Sequence, residues 1–307
     1  MVDFLVIGTI AWDRPIYMEG NFTPGTRILG KSLEGNLAGR LGGGAANAGS
    51  ALIGAGYTVS IGSYVRQDEE GERILKACID RGMDVSLVSE VPASPKGRSI
   101  ILIDGTGERS VLYLDYKMGQ LAAVNEALKE LAPPLADIED KNPKAVYARG
   151  PHPGFDSWLG RTQIPVLAHW PWKANSKVAA NLLVGSTDDL GLTLSSSTDE
   201  LFSAATRAAT NKLEWAVVTE GKNGALATNG TDRIEASPPI ATQIDTTGAG
   251  DVFSAGLLEA WTAGAAMEEA LPHACSWGST SVQLKNSSPD INEQCLFKPF
   301  AELLRRV

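Results

Sequence analysis

The stretch Asp245-Thr246-Thr247-Gly248-Ala249-Gly250-Asp251-Val252-Phe253-Ser254-Ala255-Gly256-Leu257-Leu258 changes character at its middle. Its first half is polar and glycine-bearing. Its second half sets Val252, Phe253, Ala255, Leu257 and Leu258 in the pattern that opens a buried helix. The first turn of a helix carries unpaired backbone N–H groups and the positive end of the dipole, so this turn is a site for an anion. Gly248 and Gly250 let a phosphate come close to the backbone. Asp251 adds a carboxylate beside the place where negative charge would gather, and a carboxylate there can accept a proton from an attacking hydroxyl. The same turn lowers its proton affinity, so its expected part is to orient the hydroxyl and take the proton late. Taken alone, Asp251 reads as an ordinary first-turn acid.

The heptapeptide Asp245 to Asp251 resembles the second signature of the ribokinase-like (PfkB) carbohydrate kinases. The resemblance implies that the backbone of Gly248, Ala249 and Gly250 forms the anion hole for a transferred phosphoryl group, with Asp251 as the catalytic base. It also implies an α/β fold, a mainly parallel central sheet flanked by helices and a small β-sheet lid. ATP and Mg2+ follow as cofactors. A monovalent cation such as K+ often sits beside the anion hole in such proteins, and Asp245 and Thr247 are the positions where it is expected here.

At 307 residues, with no compositional break, the chain reads as a single domain over 1–307. A net charge of −9 and the lack of a basic stripe argue against a nucleic-acid partner. Cys78, Cys275 and Cys295 share no metal-ligand spacing with His152, His169 or His273, and reduced thiols in a cytoplasmic protein are the expectation. The N-terminus carries an acid where a secretory leader would carry a base, and its apolar run is too short to span a bilayer, so no membrane association is expected.

In chain order, residues 4–7 read as a first buried parallel strand, and Asp13 follows near its carboxyl end, where ligands of open α/β sheets bind. A loop Asp capping a turn fits that position as well. Residues 14–37 hold short β-like pieces around Ile16 and Ile28, and the Gly-rich run Gly42 to Ala48 leads into an Ala-rich helix. This run resembles the family's first signature, which implies that Gly42, Gly43 and Asn47 contact the sugar, and the resemblance also implies that an Asp at the position of Asp13 binds the substrate's hydroxyls. Thr58 to Val65 is an expected strand, Glu69 to Arg81 an amphipathic helix and Val85 to Val88 a short strand. Arg98 to Asp104 and Arg109 to Leu114 flank a hairpin signal. With the earlier β pieces the hairpin would make a lid from about 12–38 and 96–116, excluding water from the transfer. The resemblance adds that such a lid covers the sugar, with Arg109 at its Gly-Glu-Arg, and mediates a homodimer.

A helix is expected over Leu121 to Leu131, and strands over Ala145 to Ala148 and Val166 to Ala168. Arg149 stands where ribokinases often carry an acid that reaches the sugar, a departure that weighs against ribose and favours an acidic sugar. The aromatic cluster His169-Trp170-Pro171-Trp172 reads as core or interface packing rather than ligand stacking. Leu182 to Gly185 is a strand ending at Ser186 and Asp189, which stand for the family's Asn and Glu around Mg2+ and phosphate. After the strand Trp215 to Thr219, the turn bearing Gly221, Lys222 and Gly224 is equally a plain hairpin by spacing. The resemblance assigns Thr219, Gly221, Lys222, Gly224 and Thr246 to the nucleotide, and Cys275 to the wall around adenine. Helices are expected over 251–263, 267–284 and Phe297 to Arg306. The reaction implied is transfer of the γ-phosphoryl of ATP to a hydroxyl of a sugar or sugar-like molecule. The rivals are a nucleoside kinase that stacks a base on Trp12 and Trp170, and a catalytically silent sugar- or nucleotide-binding regulator.

Overall fold

Strand β1 (Phe4–Ile7) lies inside a nine-stranded sheet, third from one edge, and all four of its side chains are buried. Phe4 and Val6 enter one hydrophobic core and Leu5 and Ile7 enter the other, because alternate residues of a strand face opposite sides. A strand covered on both faces must be apolar throughout, which is why this one reads as an unbroken run. The computed structural model describes residues 2–21, 23, 25, 27–32, 39–92, 98–114, 131, 133, 135–152, 154–171, 177–210, 212–290 and 292–304. Most of the helix expected over 121–131, Trp172, and residues 33–38, 96–97 and 115–116 of the expected lid lie outside them.

The large sheet also contains β5 (Val59–Arg66), β6 (Asp84–Val91), β9 (Ala145–Ala148), β10 (Val166–His169), β11 (Leu182–Ser186), β12 (Trp215–Thr219), β13 (Ala225–Thr228) and β14 (Arg233–Ala236). Its order is β14-β13-β12-β11-β10-β9-β1-β5-β6. Pairing is parallel from β6 to β12, and β13 and β14 add antiparallel at one edge. One core packs the helices Gly44–Gly54, Ala249–Thr262 and Met267–Ser281 against the sheet, and the other packs Trp158, Leu201 and their neighbours on the opposite face.

The small sheet is built from β2 (Ala11–Met18), β3 (Gly30–Ser32), β4 (Arg40–Gly42), β7 (Arg98–Ile103) and β8 (Arg109–Leu114). Strand β2 is its hub, parallel to β7 and antiparallel to β3 and β4. Some details differ from expectation. Asp13 is a residue of β2 in this sheet, not of a loop leaving β1, and Arg40 to Gly42 form a strand. Three residues, one of them glycine, are too few to show an alternation. The β piece placed near Ile28 is β3, two residues later. The helix expected over 267–284 ends at Ser281 and the last one starts at Phe300 rather than Phe297, with residues 305 and 306 outside the described residues.

Candidate active site

Gly248 caps the helix Ala249–Thr262 with φ 81°, and Asp251 stands in the first turn, 8% exposed. The helix Gly44–Gly54 packs alongside and brings Asn47 from its own first turn to the same point. Asn47 Nδ2 donates to Asp251 Oδ2 at 3.0 Å. A Cβ on residue 248 would lie 2.6 Å from that nitrogen, so glycine is needed there for room as well as for φ. The other carboxylate oxygen, Oδ1, accepts from Tyr147 Oη at 3.2 Å and from Arg149 Nε. Tyr147 and Arg149 are two apart at the end of β9, so both point to one side of the sheet.

Arg149 reaches Asp251 through a passage cut by two glycines. A Cβ on Gly44 would meet its Cγ at 2.5 Å, and one on Gly8 would meet its Cβ at 2.8 Å. Burial alone would raise the Asp251 carboxyl, but the Arg149 charge and the Asn47 and Arg149 hydrogen bonds overcome it and hold it below the ordinary range. His169, at the end of β10, is pushed down to about 4 by burial and by Arg149, so it is neutral near pH 7. Arg149, expected to meet substrate, is therefore engaged with the candidate base.

Asp13 is the second buried carboxylate, 6% exposed, and accepts from Ser99 Oγ at 2.9 Å. A Cβ on residue 42 would lie 2.0 Å from its Oδ2, so Gly42 is the gap in which this carboxylate sits. Burial raises the Asp13 carboxyl above its ordinary value despite Ser99 and Arg40, and Asp245 adds to the rise. Gly43, with φ 87°, caps the helix that carries Asn47.

The site expected for a monovalent cation does not fit one. Asp245 Oδ1 accepts from the Thr247 N–H at 2.8 Å, and Arg40 Nη2 lies 2.6 Å from Asp245 Oδ2. That second contact is one of charge rather than an aligned hydrogen bond. Thr247 Oγ1 is buried with no hydrogen-bond partner among the described residues. Mg2+ fits differently. Among the described residues no group of three or more His, Cys, Asp or Glu could hold a metal alone, but Asp189 is exposed at the end of β11 and offers a hard oxygen. Ser186 caps the short helix Thr187–Leu190, accepting from Asp189 N at 3.1 Å and donating to Asp189 Oδ2 at 2.8 Å.

Ser186 and Thr219 are register partners on β11 and β12, which puts Thr219 beside the Asp189 end of the sheet. Gly221 to Asn223 form one 3-10 turn, with Lys222 exposed, and Gly224 lies so close to β14 that a Cβ would be 2.2 Å from the Ala236 carbonyl. Cys275 Sγ donates to the same carbonyl at 3.8 Å, and burial pushes its thiol up to about 11. Thr246 joins the small sheet's hairpin to the helix turn: its N–H and Oγ1 donate to the Gly107 carbonyl at 3.1 and 3.2 Å, and Arg109 Nη1 donates to its carbonyl at 3.4 Å. The two tryptophans considered for base stacking are occupied. Trp170 is 5% exposed in the core, and Arg73 stands over Trp12 at 5.5 Å.

The fold that carries this turn has counterparts among known proteins. A family model described as pfkB family carbohydrate kinase matches residues 170–294. That match covers part of the chain, and the chain as a whole has a ribokinase-like fold. Fructoselysine 6-kinase of Escherichia coli (strain K12) is 37% identical over 67 residues, 22% of this chain, and the match spans about a quarter (26%) of that relative's length. A microbiome-derived acarbose kinase superposes with TM-score 0.72 at 16% identity, covering 98% of this chain and 99% of the other. Ribokinase of Arabidopsis thaliana, complexed with ribose and ATP, gives TM-score 0.68 at 21% identity over 96% and 97% of the two chains. At these identities the structural likeness establishes the fold. The pfkB segment includes Ser186, Asp189, Thr219 and the whole Asp245 to Asp251 turn. Among the described residues no helix is long and apolar enough to cross a membrane.

Sequence reading missed Arg40, Tyr147, Ser99 and the paired glycines at 8 and 44 as parts of this site. A signal existed for Arg40: a lone Arg set among Gly39, Leu41, Gly42 and Gly43, where a solvent-facing charge is out of place.

Proposed function

We propose that this protein transfers the γ-phosphoryl group of ATP to a hydroxyl of a sugar or sugar-like molecule, with Asp251 as the proton acceptor. The observation that carries this reading is the ionised Asp251 at an open helix N-terminus. Gly250 beside it is exposed, and a Cβ there would meet nothing within 4 Å, so a phosphoryl group can approach the first-turn N–H groups. Asn47, Tyr147 and Arg149 fix the carboxylate, which then orients the hydroxyl and takes its proton as the phosphoryl bond forms. Asp13 and Ser99 supply the polar contacts for the substrate's remaining hydroxyls from the small sheet.

Asp189, with Ser186 orienting it, would hold Mg2+ that arrives with the nucleotide, and the metal would supply charge neutralisation at the phosphates. Thr219, Gly221, Lys222, Gly224, Thr246 and Cys275 make up the nucleotide side of this reading. The small sheet serves as the lid, latched to the anion turn through Gly107 and Thr246. Leu29 and Leu112, 74% and 48% exposed at that sheet, favour a second copy of the chain as its partner.

Fructoselysine 6-kinase and the ribose-bound ribokinase make ketosamines and pentoses the first compounds to try, followed by hexoses, sugar acids and nucleosides. The test is ADP release from Mg-ATP across that panel, beside Asp251→Asn. Turnover with one class that falls by roughly 10²–10⁴ in the variant supports the reading. Binding of a sugar and ATP with no turnover by the wild type would replace it with a regulator.

A further inference from the structure

We propose that the Arg40 guanidinium is the permanent cation of the anion turn, a tethered charge that takes the place of a free monovalent ion at Asp245. Its role is positioning, since it acts on the turn and not on the reacting atoms.

Three observations carry this. First, Arg40 and Asp245 are both sequestered, with side chains 3% and 1% exposed, and Nη2 stands 2.6 Å from Oδ2. A carboxylate that deep requires a partner charge, and among the described residues Arg40 supplies it. Second, Arg40 Nη1 donates to the Lys285 carbonyl, which also accepts from Tyr17 Oη at 3.2 Å. The one guanidinium thus ties the loop after the helix Met267–Ser281 to the start of the anion turn, a bridge between carboxylate and carbonyl oxygens of the kind a bound cation makes. Third, Arg40 is fixed from the other side, because β4 pairs with β2 and sets Arg40 opposite Asp13 in register. The planar fork of a guanidinium suits this bridging task. A second cation at Asp245 would meet this charge directly.

The consequence is independence from monovalent ions, and the test begins with the unaltered protein. Its melting temperature and its affinity for ATP are measured in chloride salts of K+, Na+ and choline at one ionic strength. Both are expected to agree across the three salts. Arg40→Met removes the charge and leaves the Asp245 carboxylate and Lys285 carbonyl facing each other. This variant is expected to melt lower in choline than the wild type and to regain several degrees in K+. Arg40→Lys keeps a charge and is expected to respond less to K+ than Arg40→Met. Stabilisation of the wild type by K+ over choline, by several degrees or roughly tenfold in ATP affinity, would overturn the proposal. An Arg40→Met protein with wild-type melting in choline would overturn it too. Should Arg40→Met fail to fold, the wild-type salt series still decides. A kinetic arm, turnover in the three salts, rests on the proposed function; the melting arm does not, so failure of one is distinct from failure of the other.

Discussion

Arg149 Nε donates to Oδ1 of Asp251 across the Cα atoms of Gly8 and Gly44, joining the end of one strand to the first turn of a helix 102 residues away. The pair keeps a buried carboxylate ionised. Because its proton affinity in the folded protein is below the ordinary value of 3.8, Asp251 adds stability that is present above that value and lost as pH falls through the folded one. Turnover should therefore hold its acid side flat down through the usual carboxylate range. Arg149→Met keeps much of the stem and removes the charge, so burial then dominates and raises the carboxyl. The acid limb of kcat/KM is expected to move to higher pH, with Arg149→Lys in between. An unmoved limb in Arg149→Met would show that Asp251 is kept ionised by other groups.

Asn47 is the second restraint on the same carboxylate. Asn47→Ala removes a hydrogen bond to a charged group, an interaction of about 1.5–3 kcal/mol, so turnover should fall roughly tenfold to a hundredfold. Gly248→Ala attacks the same contact from the backbone, since its φ of 81° and the 2.6 Å approach to Asn47 Nδ2 both exclude a methyl group. A left-handed residue that is not glycine costs about 1–2 kcal/mol before the clash is counted, so Tm should drop by about 2–5 °C. Activity in Gly248→Ala should fall with it, because the displaced atom is the one that holds Asp251, the proposed proton acceptor.

The anion turn was legible because its chemistry is local: a cap, two glycines and an acid lie within seven residues. The strand–helix alternation was legible for the same reason, with most boundaries within two residues. What could not be read is convergence across the chain. Asn47 and Asp251 are 204 residues apart, and nothing in the pattern of either says that the amide meets the carboxylate. Arg149 read as a free charge for an acidic substrate because its partner is supplied by another helix. Asp245 read as a cation ligand because Arg40, which neutralises it, sits on a strand too short to announce itself.

Gly224 tests the nucleotide side without touching the anion turn. Its φ of 105° and its 2.2 Å Cβ approach to the Ala236 carbonyl allow no side chain, so Gly224→Ala must push β14 away from the turn carrying Gly221 and Lys222. The Cys275 thiol rests on that same carbonyl and would move with it. The expected result is a several-fold rise in KM for ATP with a smaller change in KM for the hydroxyl substrate. Titration of both substrates in one variant reads the ratio directly, and an equal rise in both would remove this turn from the nucleotide site.

Asp13 offers a trade between stability and function with a definite sign. Burial raises its carboxyl, so the folded protein binds that proton more tightly than the unfolded chain, and the ionised form subtracts stability as pH rises through the folded value. Ser99 and the Arg40 charge offset only part of this. Asp13→Asn is nearly isosteric, keeps the Ser99 contact and removes the buried charge. Near pH 7 its Tm should equal or exceed that of the wild type, while KM for the hydroxyl substrate rises by roughly tenfold or more through loss of a charge-assisted acceptor. Gly42→Ala separates the two effects. Its methyl group would lie 2.0 Å from Oδ2, so it displaces the carboxylate without removing it, and both Tm and substrate affinity should fall. A stabilised Asp13→Asn with unchanged KM would assign Asp13 to the architecture of the small sheet and remove it from the substrate site.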